Sequence, residues 1–124
     1  MNGNSLFLDS NIVLYLLNGE ATLIPLLEDK QLYLSFITQL ELLSFPGISE
    51  KEINKIKSFI DECIIIEMSS TIKEYTIKLR KKHQLKLPDA IIAASSLYIN
   101  VPLVTADNDF KKISKDVDLV FYQK

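Results

Sequence analysis

The chain has 124 residues, 48% of them apolar, and a formal net charge of −2, enough for one packed domain and too short for two ordinary ones. The slightly acidic balance excludes a protein coated in basic charge for indiscriminate nucleic-acid binding, but not a local basic rim. A single cysteine rules out an internal disulfide, and a single histidine leaves a His/Cys zinc site short of ligands.

In chain order, strand and helix alternate. Ser5–Leu8 (SLFL) reads as a short buried strand, and residues 10–18 as a helix with Gly19 as its stop. Residues 20–30 carry leucine and isoleucine at helical spacing, with Pro25 confined to a first turn or a kink. Residues 32–35 form a second strand, and residues 36–44 (FITQLELLS) a helix closed by Pro46-Gly47. Ser49 with Glu52 makes a capping box for the next helix, in which Ile53, Ile56 and Ile60 recur at three- and four-residue steps.

The unbroken apolar run of residues 63–67 (CIIIE) predicts a third strand covered on both faces, with Cys63 a plain core residue. Residues 70–84 form a long amphipathic helix capped by Ser70. Residues 85–100 form a helix apolar on nearly every side, with Pro88 at its first position. Residues 102–105 are a fourth strand, residues 107–113 (DNDFKKI) a short helix or turn, and residues 118–122 a fifth strand. The expected fold class is α/β: a single domain over residues 1–124, its five-stranded, mostly parallel sheet flanked by helices on both faces. The absence of a targeting segment and of any run of ~18 uncharged apolar residues predicts a soluble, cytoplasmic protein without a membrane partner.

In an open parallel sheet, ligands bind beyond the carboxyl ends of the strands. Asp9 follows strand one directly, Asp107 lies just past strand four, and Glu41 lies about one and a half turns into the helix after strand two. Asp89 opens a helix whose partner strand comes afterwards. Each acid also has a plain structural reading. Asp9 reads as an N-cap, Asp107 and Asp109 as turn or cap residues, and Asp89 as a first-turn charge worth ~0.3–1 kcal/mol against the helix dipole. Glu41 reads as a surface glutamate, at the edge of a buried arc of Ile37, Leu40 and Ser44. Asp89 shares its side of the helix with Ile92, Ala93 and Ser96, where an unpaired carboxylate is costly.

Jointly the acids say more. Four carboxylates near one sheet edge, with no histidine or arginine to neutralise them, repel unless cations enter. All-oxygen ligands favour a hard ion, Mg²⁺ or Mn²⁺. One or two such ions suit phosphodiester hydrolysis without a covalent intermediate.

The segments FLDSNIVLYLL, ITQLELLSFPG, LKLPDAIIAASSL and LVTADNDF, in this order and spacing, resemble the four signature segments of the PIN-domain ribonucleases, above all the VapC-type toxins of bacterial toxin–antitoxin pairs. The resemblance implies that Asp9, Glu41, Asp89 and Asp107 are the catalytic acids that bind Mg²⁺ or Mn²⁺. It implies supporting roles for Ser10 and Asn11, which follow Asp9 as in the family pattern, and for the Thr105 hydroxyl. The fourth acid is open between Asp107, nearer the strand end, and Asp109, a supporting or helix-start residue. The resemblance further implies endoribonuclease activity on RNA, a homodimer, and inhibition by an antitoxin whose tail occupies the acidic groove.

A basic rim would help to attract the polyanion. Its candidates lie in residues 78–86, chiefly Arg80, Lys81 and Lys82, and at Lys111, Lys112 and Lys115. Arg80 stands first because a guanidinium grips phosphate through two donors. The alternative for these cations is a solvated helix C-terminus. Other functions fit less well. A phosphorylation-switched receiver domain wants paired acids after strand one, and a haloacid-dehalogenase-type phosphatase wants Asp-x-Asp there, whereas this chain has Asp9-Ser10-Asn11. A catalytically silent PIN fold that binds RNA or protein is the other alternative, against which the intact acids count.

Overall fold

Phe7 packs into one layer of apolar side chains, while Leu6 and Leu8 pack into another. This period-two alternation puts their strand between two cores. The computed structural model describes residues 4–123, so Met1, Asn2, Gly3 and Lys124 of the expected 1–124 domain lie outside the described residues. Five strands, β1 (Ser5–Leu8), β2 (Gln31–Ser35), β3 (Ile64–Ile66), β4 (Leu103–Thr105) and β5 (Leu119–Phe121), lie in the order β3-β2-β1-β4-β5. Every neighbouring pair is parallel, with Phe7 opposite both Tyr33 and Leu103.

The helices are α1 (Ser10–Leu17), α2 (Ile24–Leu27), α3 (Phe36–Leu43), α4 (Glu50–Asp61), α5 (Ser70–Lys82) and α6 (Leu87–Ile99). Ile12 and Val13 of α1, Leu27 of α2, Leu42 of α3, and Ile56 and Ile60 of α4 share one core with Leu6, Leu8, Leu34 and Val104. Ile72 and Leu79 of α5, with Ala90, Ile92 and Ala93 of α6, share the other with Phe7 and Leu103. The chain steps outward from β1 to β3 under one helical layer and returns to β4 under the opposite one, as right-handed crossovers require. The strand order therefore reverses between β1 and β4, and the crevice at their carboxyl ends is where ligands bind in such sheets.

The α6 helix is buried continuously from Ala90 to Ser96. Its two serines are tolerated because Ser95 donates to the Ile91 carbonyl at 2.7 Å and Ser96 to the Ala93 carbonyl at 3.3 Å. Asn100 ends the helix in the left-handed region, with φ of 57°. Among the described residues no single helix is long and apolar enough to cross a membrane.

Several expectations shift. Residues 20–30 are not one helix: a 3-10 turn (Ala21–Leu23) leads into a single turn with Pro25 near its start. The β3 strand is a sheet edge, with Ile64 42% exposed, because an apolar run reports a strand and not its rank in the sheet. Cys63 stands before that strand, half-buried, with its thiol 3.4 Å from the Phe59 carbonyl. Burial pushes that thiol up to about 11, so it stays an unreactive packing group. The cap of α5 is Ser69, whose hydroxyl accepts from Ile72 N, and Ser70 is the first helical residue. Pro88 is the second residue of α6, after Leu87. The capping box at Ser49 and Glu52 forms as expected.

Candidate metal centre

The centre is built around the end of β1. The Asp9 N–H continues the β1–β4 pairing by donating to the Val104 carbonyl at 3.0 Å, which brings Asp9 beside Thr105. Extended backbone at Asp9 then starts α1, and its Oδ1 accepts from Ser10 N at 2.8 Å. Its Oδ2 accepts from the Thr105 hydroxyl at 2.7 Å. Asp9 is thus the helix cap that its position allows, and also a buried carboxylate, 5% exposed.

Thr105 is fully buried at the end of β4 and works in both directions. Besides donating to Asp9, its Oγ1 accepts from Asp107 N at 3.1 Å. Asp107 in turn starts a 3-10 helix (Asn108–Ile113), where its Oδ1 accepts from Asp109 N at 2.9 Å. One hydroxyl therefore ties the acid after β1 to the acid after β4.

Asp89 enters from the opposite layer, in the first turn of α6. One carboxylate oxygen from each of Asp89, Asp107 and Asp109 lies within 4.8 Å of the others. Among the described residues no hydrogen-bond donor meets the Asp89 carboxylate. Burial, then the charges of Asp9 and Asp107, push its carboxyl up to about 6, and Lys86 offsets only part of this. Asp9 is also raised, first by burial and then, against the bonds from Thr105 and Ser10, by Asp107 and Glu41. An unpartnered carboxylate among like charges is a group that a cation would relieve.

Glu41 joins less directly. It is exposed on α3, and its Oε1 accepts from the Ser10 hydroxyl at 2.8 Å, with Thr38 Oγ1 3.0 Å from the same hydroxyl. Of the expected arc only Ile37 packs against a core, half-buried; the fully buried residues of α3 are Thr38 and Leu42, while Leu40 is 56% exposed and Ser44 is exposed. Thr38 is a site residue that hydropathy missed, because a hydroxyl facing α1 does not register as core. Ser10 links Glu41 to the Asp9 segment, whereas Asn11 is exposed and outside the network.

The donor set suits a hard divalent ion. Oxygens on opposite sides of Mg²⁺ are about 4.2 Å apart, from bond lengths of ~2.1 Å. Of three such oxygens at most one pair can be opposite and neighbouring ones are about 3.0 Å apart, so oxygens within 4.8 Å of one another would close on one ion by side-chain rotation.

The basic candidates divide. Arg80 and Lys81 are exposed and share an open groove with Gln84 and Lys86, while Arg80 Nε donates to the Leu85 carbonyl at 3.3 Å. Lys82 turns away to Asp116 at 3.1 Å. Lys111 lies over the Phe121 ring and Lys112 donates to the Gln84 carbonyl.

Acids delivered from β1, from β4 and from the head of a buried helix to the switch point of a parallel sheet define an α/β domain with a candidate divalent-metal centre. The chain belongs to the PIN domain family, whose model matches residues 6–116. Its fold closely matches that of VapC-type toxins. A toxin–antitoxin complex from Klebsiella pneumoniae contains a chain 28% identical to this one, with a TM-score of 0.83 over 96% of this chain and 99% of that one. VapBC2 from Rickettsia felis, bound to a promoter DNA fragment, matches at 24% identity and TM-score 0.81, over 96% and 99% of the two chains. VapBC-1 from nontypeable Haemophilus influenzae matches at 24% and 0.78, over 97% and 99%. No curated protein matches the chain.

Proposed function

We propose that this protein is a Mg²⁺- or Mn²⁺-dependent endoribonuclease, the toxin of a cytoplasmic toxin–antitoxin pair. The observation that carries the reading is the convergence of Asp89, Asp107 and Asp109 beside the buried Asp9, where among the described residues no basic side chain forms a salt bridge with any of them.

Asp89, Asp107 and Asp109 would hold the ion, with Asp9 beside them, its two oxygens already accepting from Ser10 N and Thr105, and Glu41 farther out on the Ser10 hydroxyl. When bound, the ion supplies positive charge to a phosphodiester oxygen and lowers the pKa of water. The rest falls to the chain. Thr105 and Ser10 N fix the Asp9 carboxylate by two donors, Ser10 Oγ aims Glu41 toward the crevice, and α6 gives Asp89 a rigid base. Asp107 caps the 3-10 helix through Oδ1, and among the described residues its other oxygen accepts no hydrogen bond. Arg80, Lys81 and Lys86 line a groove suited to the phosphates of RNA.

Two features support protein partners. One of the structures matched above is described as a toxin–antitoxin complex and the other two as VapBC assemblies, which supports a cognate antitoxin. Ile77 and Leu87, 57% and 49% exposed, line the same groove as Arg80 and Lys81, so a homodimer that covers them must leave the basic edge of the groove open to RNA.

The test is cleavage of structured and unstructured RNA by antitoxin-free protein with Mg²⁺, Mn²⁺ or EDTA. The expected result is cleavage with either metal and none with EDTA; no metal-dependent cleavage of any RNA overturns the nuclease reading. Within it, Arg80→Gln is expected to weaken RNA binding and reduce the salt slope of log Kd by about one. A slope unchanged from 50 to 200 mM salt would remove Arg80 from the phosphate path.

A further inference from the structure

Asp89 and the Asp107/Asp109 pair come from segments that share no secondary structure. Asp89 is set by the linker from α5 into α6, and Asp107 and Asp109 by the 3-10 helix after β4. Their like charges push these two segments apart. Side-chain bonds elsewhere pull them together. His83 Nε2 lies 2.7 Å from Asp116 Oδ2, Lys82 Nζ lies 3.1 Å from Asp116 Oδ1, and Lys112 Nζ donates to the Gln84 carbonyl at 2.8 Å. Of the two Asp116 partners, Lys82 has a side chain 65% exposed and His83 one only 15% exposed. The histidine bond is therefore the less screened link. The Asp116 carboxyl is held below the usual range first by the His83 hydrogen bond and then by the Lys82 bond. Beneath these bonds Leu85 of the linker shares one core with Ile113 and Val117.

We propose that the His83–Asp116 bond, backed by Lys112 on the Gln84 carbonyl, is a positioning clamp that holds the Asp89 segment at a fixed spacing from the Asp107/Asp109 segment and so sets the metal affinity of the cluster. This inference rests on the metal-centre reading above. His83 and Asp116 are positioning residues: they act through the backbone that carries the acids.

The experiment is titration calorimetry of Mn²⁺ into antitoxin-free full-length protein, well below its melting temperature, for wild type, Asp116→Ala, Asp116→Asn and an Asp107→Asn control. The Ala variant is expected to bind Mn²⁺ roughly tenfold more weakly, the low end of what losing support around metal ligands costs. The Asn variant keeps an acceptor for His83 and is expected to stay close to wild type. RNA cleavage by the Ala variant recovers at saturating Mn²⁺, with its half-saturation point moved upward. An Ala variant that melts lower without metal yet binds Mn²⁺ with wild-type affinity overturns the clamp, leaving a merely structural bond. Wild type that binds no Mn²⁺ overturns the metal-centre reading, and the clamp with it. A loss confined to Asp107→Asn overturns the clamp alone.

Discussion

Asp89→Asn is expected to abolish metal-dependent RNA cleavage and, in the absence of metal, to raise the melting temperature at pH 7.5. Both effects come from one carboxylate. Its pKa lies near 6 in the fold against an ordinary 3.8, raised first by burial and then by Asp9 and Asp107. The first-turn position in α6 favours a negative charge by only ~0.3–1 kcal/mol, so desolvation and repulsion win. Between those two pH values the folded chain holds this proton more tightly than the unfolded chain. The stability that Asp89 contributes is therefore fully present below about pH 4 and is lost as pH rises through about 6.

Asparagine removes the ionisation and with it the pH dependence. Because the side chain is only half-buried, the gain is discounted for solvent screening to about 1 kcal/mol, or roughly 3–5 °C. Mn²⁺ reverses the ranking, since it raises the melting point of wild type and not that of the variant. Losing several kcal/mol of charge stabilisation corresponds to at least a hundredfold loss of cleavage, at about 1.4 kcal/mol per tenfold. Thermal melts from pH 4.5 to 7.5, with and without Mn²⁺, run beside the cleavage assay, test this. Full activity in Asp89→Asn would return Asp89 to the role of a helix-start charge.

What the sequence makes legible follows from the range of the interactions involved. The β1–α1 junction is readable because strand, cap and helix lie within a few residues: SLFL, then Asp9, then an amphipathic run ended by Asn18 and Gly19. The start of α6 is readable because proline marks it and the apolar body lies to one side of Asp89. The same local logic identifies the Ser49–Glu52 box.

It fails where the partner is distant in sequence. Nothing within CIIIE says that β3 is an edge, because edge rank depends on which strands follow. Hydropathy misassigns the face of α3, since Thr38 is fully buried against Ser10 while Leu40 is left outside. Asp9, Glu41 and Asp107 are marked as candidates by their places after strands, and Asp89 by its place at the head of an apolar helix. Their mutual arrangement was not: the double use of the Thr105 hydroxyl and the His83–Asp116 bond each need two segments brought together by the sheet.

Thr105→Val is the sharpest test of that arrangement. Valine matches threonine in shape and keeps the apolar contacts of β4, but it removes two bonds at once. Asp9 Oδ2 loses its 2.7 Å donor and Asp107 N its 3.1 Å acceptor. Asp9 is 5% exposed, so water replaces the donor poorly. A buried carboxylate that loses one charged hydrogen bond costs about 2–3 kcal/mol, so metal-free Thr105→Val is expected to melt roughly 6–12 °C below wild type. Asp9→Asn in the same background is expected to recover part of that loss, because a neutral amide bears the missing donor better than a carboxylate. The coupling between the two changes, read from a double-mutant cycle in urea, is expected to be about 1 kcal/mol or more. Saturating Mn²⁺ narrows the gap between wild type and Thr105→Val, since the cation takes over the charge that the hydroxyl had stabilised. Cleavage falls about tenfold, as when support to a metal ligand is lost. Additive losses in the cycle would mean that Thr105 packs the strand end without holding Asp9. Coupling without a change in Mn²⁺ affinity would mean that Asp9 is a structural cap and the ion is held by the remaining acids.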